Sequence, residues 1–242
     1  MDKDITPAKK LTYTDYTVGC VCASPKEQTA TIATLDEVHE RLPYLPSGTN
    51  TYALGEIGGL KVIISSIATA MVNTFQSIRF ELTVEIGGGI LPKFNLGDVV
   101  VSQPVGSYPG HTGSLNRPAR ALFFFTNLLR GEHELFGSKY TRYEANQRVA
   151  KKEPQKRERR EVRNHYGLIV SGINVFKDAS YWDVLDERFG GYLLCVDMEV
   201  AGLMNDIPCI VIRRICDYAD LNGEKIRQEY AAAVAAAYAK NF

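Results

Sequence analysis

The chain has 242 residues, and its 28 Lys and Arg residues balance its 28 Asp and Glu residues. This length suits one large α/β domain, and a hydrophobic content of 45% is enough for a substantial core. The neutral balance gives no indication of a nucleic-acid or anionic-membrane partner. No apolar run approaches the roughly 18 residues of a membrane-spanning helix, and the polar N-terminus is unlike a secretory signal. We therefore expect a cytoplasmic protein with neither nucleic-acid nor membrane partners.

The first half of the chain predicts strands that alternate with helices. Residues 1–15 are expected to form a loose N-terminal tail, followed by a single domain over residues 16–242. Ser24-Pro25 predicts a helix start, because Ser caps well and Pro suits the first helical position. Gly58-Gly59 predicts a hairpin turn. The predicted elements are a strand at 16–23, a helix at 25–41, strands at 52–57 and 61–66, a helix at 69–78 and a strand at 80–86.

The second half continues this alternation around a charged excursion. Residues 131–164 carry many charges and few apolar side chains, which predicts an exposed helix or a partly disordered segment. Interleaved acids and the lack of an aromatic platform argue against an RNA-binding patch there. The predicted elements are strands at 98–102, 166–171, 193–197 and 209–215, and helices at 115–130, 177–189, 199–205 and 224–240. The whole pattern predicts a three-layer α/β/α fold with a central mixed, mostly parallel sheet.

Cysteine and histidine spacing indicates no metal site. The five cysteines form no CxxC pair, and the four histidines form no HExxH motif. An odd number of cysteines within apolar strands predicts reduced, buried thiols. We expect neither a metal nor an organic cofactor.

Two acids in residues 194–220, LCVDMEVAGLMNDIPCIVIRRICDYAD, lie where α/β sheets keep their chemistry. Glu199 opens a predicted helix, and Asp217 follows an apolar strand, whose carboxyl end is the usual place for a ligand. Two acids that face one crevice are able to grip a sugar and to protonate a leaving group. The alternative is structural, with Glu199 as a first-turn acid and Asp217 as an N-cap.

This segment resembles the last strand and helix of the nucleoside phosphorylase and nucleosidase superfamily, through Met198-Glu199 and Cys216-Asp217-Tyr218-Ala219-Asp220. The similarity covers about residues 16–102 and 165–240 and looks closest to the fungal branch. The resemblance implies a nucleoside phosphorylase-like fold and cleavage of the N-glycosidic bond of a purine nucleoside. It also implies that Met198 packs under the ribose, that Glu199 binds the ribose hydroxyls and that Asp217 protonates purine N7.

Further site residues follow from the same resemblance. Gly87-Gly88-Gly89 would border the ribose and the attacking nucleophile, although a tight turn explains three glycines almost as well. Val175 and Phe176 would stack on the base, although Phe176 is also a plausible core residue by type. Gly97-Asp98-Val99-Val100 matches a family motif, and we expect Asp98 to be structural.

Glu27 bears on the choice of nucleophile. Hydrolytic relatives, similar to methylthioadenosine nucleosidase, place a glutamate in this loop to orient and deprotonate water, whereas one phosphorolytic branch places an arginine there to hold phosphate. A carboxylate repels phosphate and suits water, so Glu27 favours hydrolysis. Phosphorolysis, with phosphate as co-substrate, remains the alternative. Glu27 is otherwise a first-turn acid that favours the helix dipole.

Two segments look short beside the family, at residues 65–79 and 103–111. Both would lie near the sugar and the nucleophile, so a non-catalytic nucleoside-sensing or interaction module, or an inert remnant, stays open as an alternative to an enzyme. The resemblance also implies a homo-oligomer.

Overall fold

The computed structural model describes residues 10–43, 51–89, 93–95, 97–103, 120–137, 163–171, 179–197, 208–217 and 228–242. The strands of these ranges are β1 (Val18–Val21), β2 (Glu37–Val38), β3 (Ala53–Ile57), β4 (Leu60–Ser65), β5 (Phe80–Gly89), β6 (Val99–Ser102), β7 (Asn164–Ser171), β8 (Leu193–Asp197) and β9 (Cys209–Asp217). The helices are α1 (Pro25–Ile32), α2 (Ala68–Thr74), α3 (Arg120–Phe136), α4 (Ala179–Arg188) and α5 (Gln228–Ala239). Within the same ranges, no helix is long and apolar enough to cross a membrane.

The strands form one mixed sheet in the order β2-β3-β4-β1-β5-β8-β7-β6-β9. Strand β1 pairs in parallel with β4 and β5, β5 pairs in parallel with β9, and β7 pairs in parallel with β6 and β8. The antiparallel pairs are β2–β3, β3–β4, β5–β8 and β6–β9. Among the pairings that the structure describes, the parallel ones are therefore in the majority, which confirms the predicted mixed, mostly parallel sheet.

The sheet closes on itself around β5. This strand is long enough to pair with β9 along most of its length and with β8 through Gly88 and Gly89 at its end. Because β8, β7, β6 and β9 also follow one another as neighbours, these five strands form a closed ring. Side chains from four of its strands meet in one apolar cluster, namely Val100, Ile169, Cys195 and Ile215.

Both faces of the sheet are covered, because neighbouring residues of a strand point in opposite directions. Cys20 of β1 and Ile64 of β4 belong to a cluster that also contains residues of α1 and α5. The adjacent residues Val21 and Ile63 belong to a second cluster, with Met71 of α2. A third cluster packs α4 against β7 and β8. Helices on both faces confirm the predicted three-layer arrangement.

Helix α1 is shorter than the predicted helix at 25–41. The helix ends at Ile32, and the chain then turns and pairs as β2 with β3. Two threonines contribute to this end, since the hydroxyls of Thr31 and Thr34 donate to backbone carbonyls, which competes with a regular helix. Beyond the turn, Asp36 accepts the Gly58 N–H at 2.9 Å, and this bond holds the segment against the β3–β4 hairpin.

Other predicted boundaries also shift. Strand β5 continues through Gly89 instead of ending at residue 86, because its glycines pair with β8 and β9. Tyr13, within the predicted tail, packs against Phe75 with ring centroids 5.1 Å apart and the ring planes tilted by 47°. Helix α3 runs to Phe136 and so enters the predicted excursion at 131–164. Most of that excursion and the helix predicted at 199–205 lie outside the described residues.

Candidate active site

Glu27 is a buried carboxylate with both of its oxygens engaged. It lies in the first turn of α1, where Ser24 caps the helix and the Ser24 N–H donates back to Glu27 Oε2 at 2.6 Å. The other oxygen, Oε1, accepts the backbone N–H of Ile86 in β5 at 2.9 Å. Glu27 is only 3% exposed. The capping motif therefore also ties α1 to the strand that carries the three glycines.

The three glycines belong to β5 and do not form a turn. A Cβ on Gly87 would lie 2.9 Å from Arg213 Nη1, and a Cβ on Gly89 would lie 2.9 Å from Ile215 Cγ2. Both contacts are with side chains of β9, so packing inside the ring of strands requires glycine at these two positions. Gly88 alternates with them and is held differently, since its carbonyl accepts the Cys195 thiol at 3.2 Å.

Asp217 ends β9 beside the glycines. The parallel pairing runs regularly to Gly87 opposite Ile215, and the next pair is Gly88 opposite Asp217. Cys216 is therefore an extra residue in β9, and it forms a β-bulge just before the last residue pair of the two strands. Bulges occur next to active sites, where they re-aim a side chain or end the pairing. By backbone register, the structure brings Asp217 and the glycine run to the same edge of the sheet as Glu27.

Two charged residues that sequence reasoning missed lie just before this edge. Glu85 of β5 is directly opposite Arg213 of β9, and Arg213 donates to Glu85 Oε2 from Nε at 3.1 Å and also from Nη2. Their side chains are 1% and 5% exposed, respectively. A signal was present, because a charged residue inside an otherwise apolar strand is unusual unless it is paired.

Asp98 anchors the segment before β6. Burial alone would raise the pKa of Asp98, but a hydrogen bond from His165 Nε2 and two from the backbone N–H groups of Asn95 and Arg163 outweigh it and hold that pKa below its usual value. The Asp98 carbonyl also accepts the Ile215 N–H at 2.9 Å. These contacts fit the structural role expected of Asp98, and they support β9 two residues before Asp217.

The remaining predicted site residues, Met198, Glu199, Val175 and Phe176, lie outside the described residues. The strands that precede them are described. Strand β8 ends at Asp197, with Val196 opposite Gly88, and β7 ends at Ser171, opposite Asp197. The chain therefore leaves β7 and β8 next to the glycine run.

Three buried thiols of the sheet region are poor nucleophiles. Burial raises the pKa of the Cys20 and Cys209 thiols to about 12, and it also raises the pKa of Cys22 well above its usual value. Since the thiolate is the reactive form, these groups stay inert at neutral pH. In the part of the chain that the structure describes, no group of three His, Cys, Asp or Glu side chains is placed to hold a metal ion.

Comparison with known proteins agrees on one family. A family model described as the phosphorylase superfamily matches residues 17–242. A nucleotide-binding leucine-rich repeat (NLR)-like protein of Hyaloscypha variabilis is 36% identical over 289 residues, which cover 93% of this chain and 29% of that protein. The chain thus spans less than a third of this relative. Since 93% of 242 residues is about 225, some 60 positions of the 289 have no counterpart here, in agreement with shortened segments.

Solved structures with the same fold include bacterial nucleosidases. The 5′-methylthioadenosine/S-adenosylhomocysteine nucleosidase of Helicobacter pylori matches with a TM-score of 0.66 at 17% identity, over 93% of this chain and 97% of that one. Futalosine hydrolase of the same organism also matches with a TM-score of 0.66 at 17% identity, over 95% of this chain and 98% of that one. S-adenosylhomocysteine nucleosidase of Streptococcus pyogenes matches with a TM-score of 0.64 at 17% identity, over 94% of this chain and 95% of that one. At this identity the likeness establishes the fold.

Proposed function

Because the chain belongs to the phosphorylase superfamily, as its motifs predict, we propose that it hydrolyses the N-glycosidic bond of a purine nucleoside. Membership supports the expected enzyme class, nucleosidase or nucleoside phosphorylase, at the level of the family. The finer proposal, with water as nucleophile and a purine as leaving group, depends on the chemistry of Glu27 and Asp217. The solved structures of this fold quoted above are themselves named as nucleosidases or as a hydrolase.

The observation that carries the proposal is the placement of Glu27. A buried carboxylate accepts the N–H of Ile86, next to the glycine run, and Asp217 lies opposite Gly88 in the neighbouring strand. The two backbone N–H donors, those of Ser24 and Ile86, hold the carboxylate of Glu27 at this edge of the sheet. A fixed negative charge at this edge also disfavours a phosphate anion as nucleophile.

The reaction breaks the bond between C1′ of the ribose and N9 of the purine. The bonding electrons leave with the base, Asp217 donates a proton to N7, and positive charge develops on the sugar. Water attacks C1′ while Glu27 accepts one of its protons, which yields the free base and ribose. Glu199, through the ribose hydroxyls, and Met198, under the sugar, would hold the substrate, and Val175 and Phe176 would stack on the base. An acid and a base each contribute roughly 10²–10⁴-fold to the rate.

Product analysis tests this proposal. The protein is incubated with adenosine, inosine and 5′-methylthioadenosine, with and without phosphate, the last because a mutant H. pylori nucleosidase holds that nucleoside in its active site. Free base without phosphate supports hydrolysis. Formation of ribose 1-phosphate, seen only when phosphate is present, would show that the reaction is phosphorolysis and not hydrolysis. Thermal stabilisation by a nucleoside without turnover would indicate a sensing module.

The variant Asp217→Asn tests the acid. Asn keeps the size of the side chain but is unable to donate the proton, so we expect a loss of about 100-fold or more in kcat. Denaturant unfolding of the variant serves as the control for the fold. Full activity of Asp217→Asn would assign the proton donor to another residue.

A further inference from the structure

Helix α3 carries apolar side chains on two opposite faces. Its inner face is buried at Leu122, which joins the apolar cluster of β6 and α5, and at Leu129. On the opposite face, Phe124, Leu128 and Leu135 are between 58% and 77% exposed. A surface helix normally turns a polar face to solvent, because only the face toward the core gains from being apolar. The outer face of α3 therefore has the composition of a helix surface that packs against a partner.

The exposed side chains form one line along the helix, the α3 stripe, which consists of Phe124, Leu128, Gly131 and Leu135. Their spacing of i, i+4, i+7 and i+11 places all four on the same face. No atom lies within 4 Å of the place of a Gly131 Cβ. Glycine inside a helix is destabilising relative to alanine, but a small residue lets a second helix approach closely. The stripe thus combines large apolar side chains with one gap.

The α3 stripe is complementary to a second copy of itself. In an antiparallel pair of α3 helices, a two-fold axis level with the midpoint between residues 129 and 130 relates positions at equal distances from that midpoint. Leu128 and Gly131 lie equally far on either side of it, and so do Phe124 and Leu135. Leu128 of each copy would therefore fill the gap at Gly131 of the other, and Phe124 would pack against Leu135. Such a contact is isologous and closes as a dimer.

The acids beside the stripe favour the antiparallel pairing. About the same axis, Glu132 comes level with Asn127 of the other copy, and Glu134 comes level with Phe125, so that no acid is level with an acid. In a parallel pair, Glu132 and Glu134 would each be level with the same residue of the other copy, and like charges placed together are unfavourable.

The neighbouring segments of this chain are poor candidates to cover the stripe. Residues 104–119 and 138–162 flank α3 in the sequence, and together they contain only one residue, Leu115, of the types Leu, Ile, Met, Phe and Trp. Burial of apolar surface is what drives packing on an apolar face. A second copy brings the apolar side chains that these segments lack.

The size of the surface indicates a weak dimer. With Phe136, which is 74% exposed at the end of the helix, the large side chains of this face present on the order of 500 Å² per copy. A dimer would bury about 1,000 Å² in total, at the low end for a specific interface. We therefore expect a Kd of about 10–100 µM.

We propose that the α3 stripe is a self-association surface, on which a second copy of this chain packs its own α3 in antiparallel orientation. The proposal names the surface and the pairs of residues that meet across it, which the expectation of a homo-oligomer alone does not. It is independent of the proposed function.

Sedimentation velocity of the full chain measures this association. Between about 1 and 300 µM, the mean mass of the wild type should rise about 1.5- to 2-fold. Leu128→Glu should abolish the rise, because it buries two unpaired charges at the centre of the dimer. Val184→Glu is the matched control, since Val184 is 52% exposed on α4, and it should associate like the wild type. A mean mass that Leu128→Glu leaves unchanged at every concentration overturns the proposal and leaves the stripe to a different partner.

A mixture of two variants tests the pairing of residues. Phe124→Lys and Leu135→Glu should each associate at least about tenfold more weakly than the wild type. In an equal mixture, the two substituted positions meet with opposite charges and the other such contact keeps its apolar pair, so association should be about three- to tenfold stronger than that of either variant alone. No recovery in the mixture overturns the antiparallel pairing. If circular dichroism shows that Leu128→Glu does not fold, this mixture decides the proposal.

Discussion

Glu27→Gln separates the structural role of this side chain from its proposed catalytic role. The carboxylate accepts the Ser24 N–H with one oxygen and the Ile86 N–H with the other. Glutamine has one acceptor oxygen and an NH₂ group that only donates. One of the two backbone N–H groups therefore loses its partner in the variant and faces a donor instead.

The size of the effect follows from these contacts. A buried donor left without a partner costs about 1–3 kcal/mol, and the loss of an acid from the first turn of a helix adds about 0.3–1 kcal/mol. Since the two bonds are only partly shielded from water, we expect Glu27→Gln to lower the free energy of unfolding by about 2 kcal/mol. Loss of the base should lower kcat by a further, separate factor of about 10²–10⁴.

Urea unfolding measures the first effect and steady-state kinetics the second. The urea midpoint should fall with an unchanged slope, because the surface exposed on unfolding stays the same. The matched control is Glu229→Gln, the same substitution in the first turn of α5. The Glu229 side chain is 56% exposed and pairs with Lys26 at 2.9 Å, so Glu229→Gln should lower the free energy of unfolding by less than about 1 kcal/mol. A stability of Glu27→Gln within about 0.5 kcal/mol of wild type would contradict the two-acceptor arrangement.

Two further predictions concern glycine packing and pH. Gly131→Ala should raise the free energy of unfolding by about 0.5–1 kcal/mol, because this glycine of α3 has open space at the place of a Cβ. Gly89→Ala should lower the free energy of unfolding by about 1–3 kcal/mol, because the new Cβ would overlap with Ile215. Urea unfolding of both variants checks that the two effects have opposite signs. The lowered pKa of Asp98 stabilises the wild type at pH values above the unfolded pKa of about 3.9, and this stabilisation is lost as the pH falls through the folded pKa. Asp98→Asn should therefore be less stable than the wild type at pH 7. Between about pH 5 and pH 3, the variant should lose less stability than the wild type does. Equal slopes in that pH range would refute the assignment.

Sequence patterns predict the strands of this fold well, for a physical reason. A strand buried on both faces, such as β1 or the middle of β9, reads as a continuous apolar run, and flanking glycines or prolines mark its ends. Helix ends are less visible, because the end of α1 depends on contacts with distant parts of the chain. The Asp36 bond to Gly58 is one of them, and the bond from Lys240 to the Thr34 carbonyl is another.

The candidate site is predictable only in part. Glu27 and Asp217 follow from residue type, from their positions after strands and from a family motif. The Glu85–Arg213 pair joins residues 128 positions apart, and a bulge such as that at Cys216 depends on register, so local spacing reveals neither. Their placement is a property of the folded sheet.

The glycine run shows how packing and function divide one motif. Three glycines in sequence predict either a tight turn or a close approach of the backbone to a ligand, and the structure excludes the turn, since all three belong to β5. Gly87 and Gly89 have Arg213 and Ile215 against the place of their Cβ atoms, so their small size serves the ring of strands. By the alternation of residues along a strand, the place of a side chain at Gly88 lies on the opposite face, which Ile86 also faces and which α1 covers. Packing against β9 therefore accounts for Gly87 and Gly89, whereas at Gly88 the ligand role that the sequence predicts for the run stays a prediction.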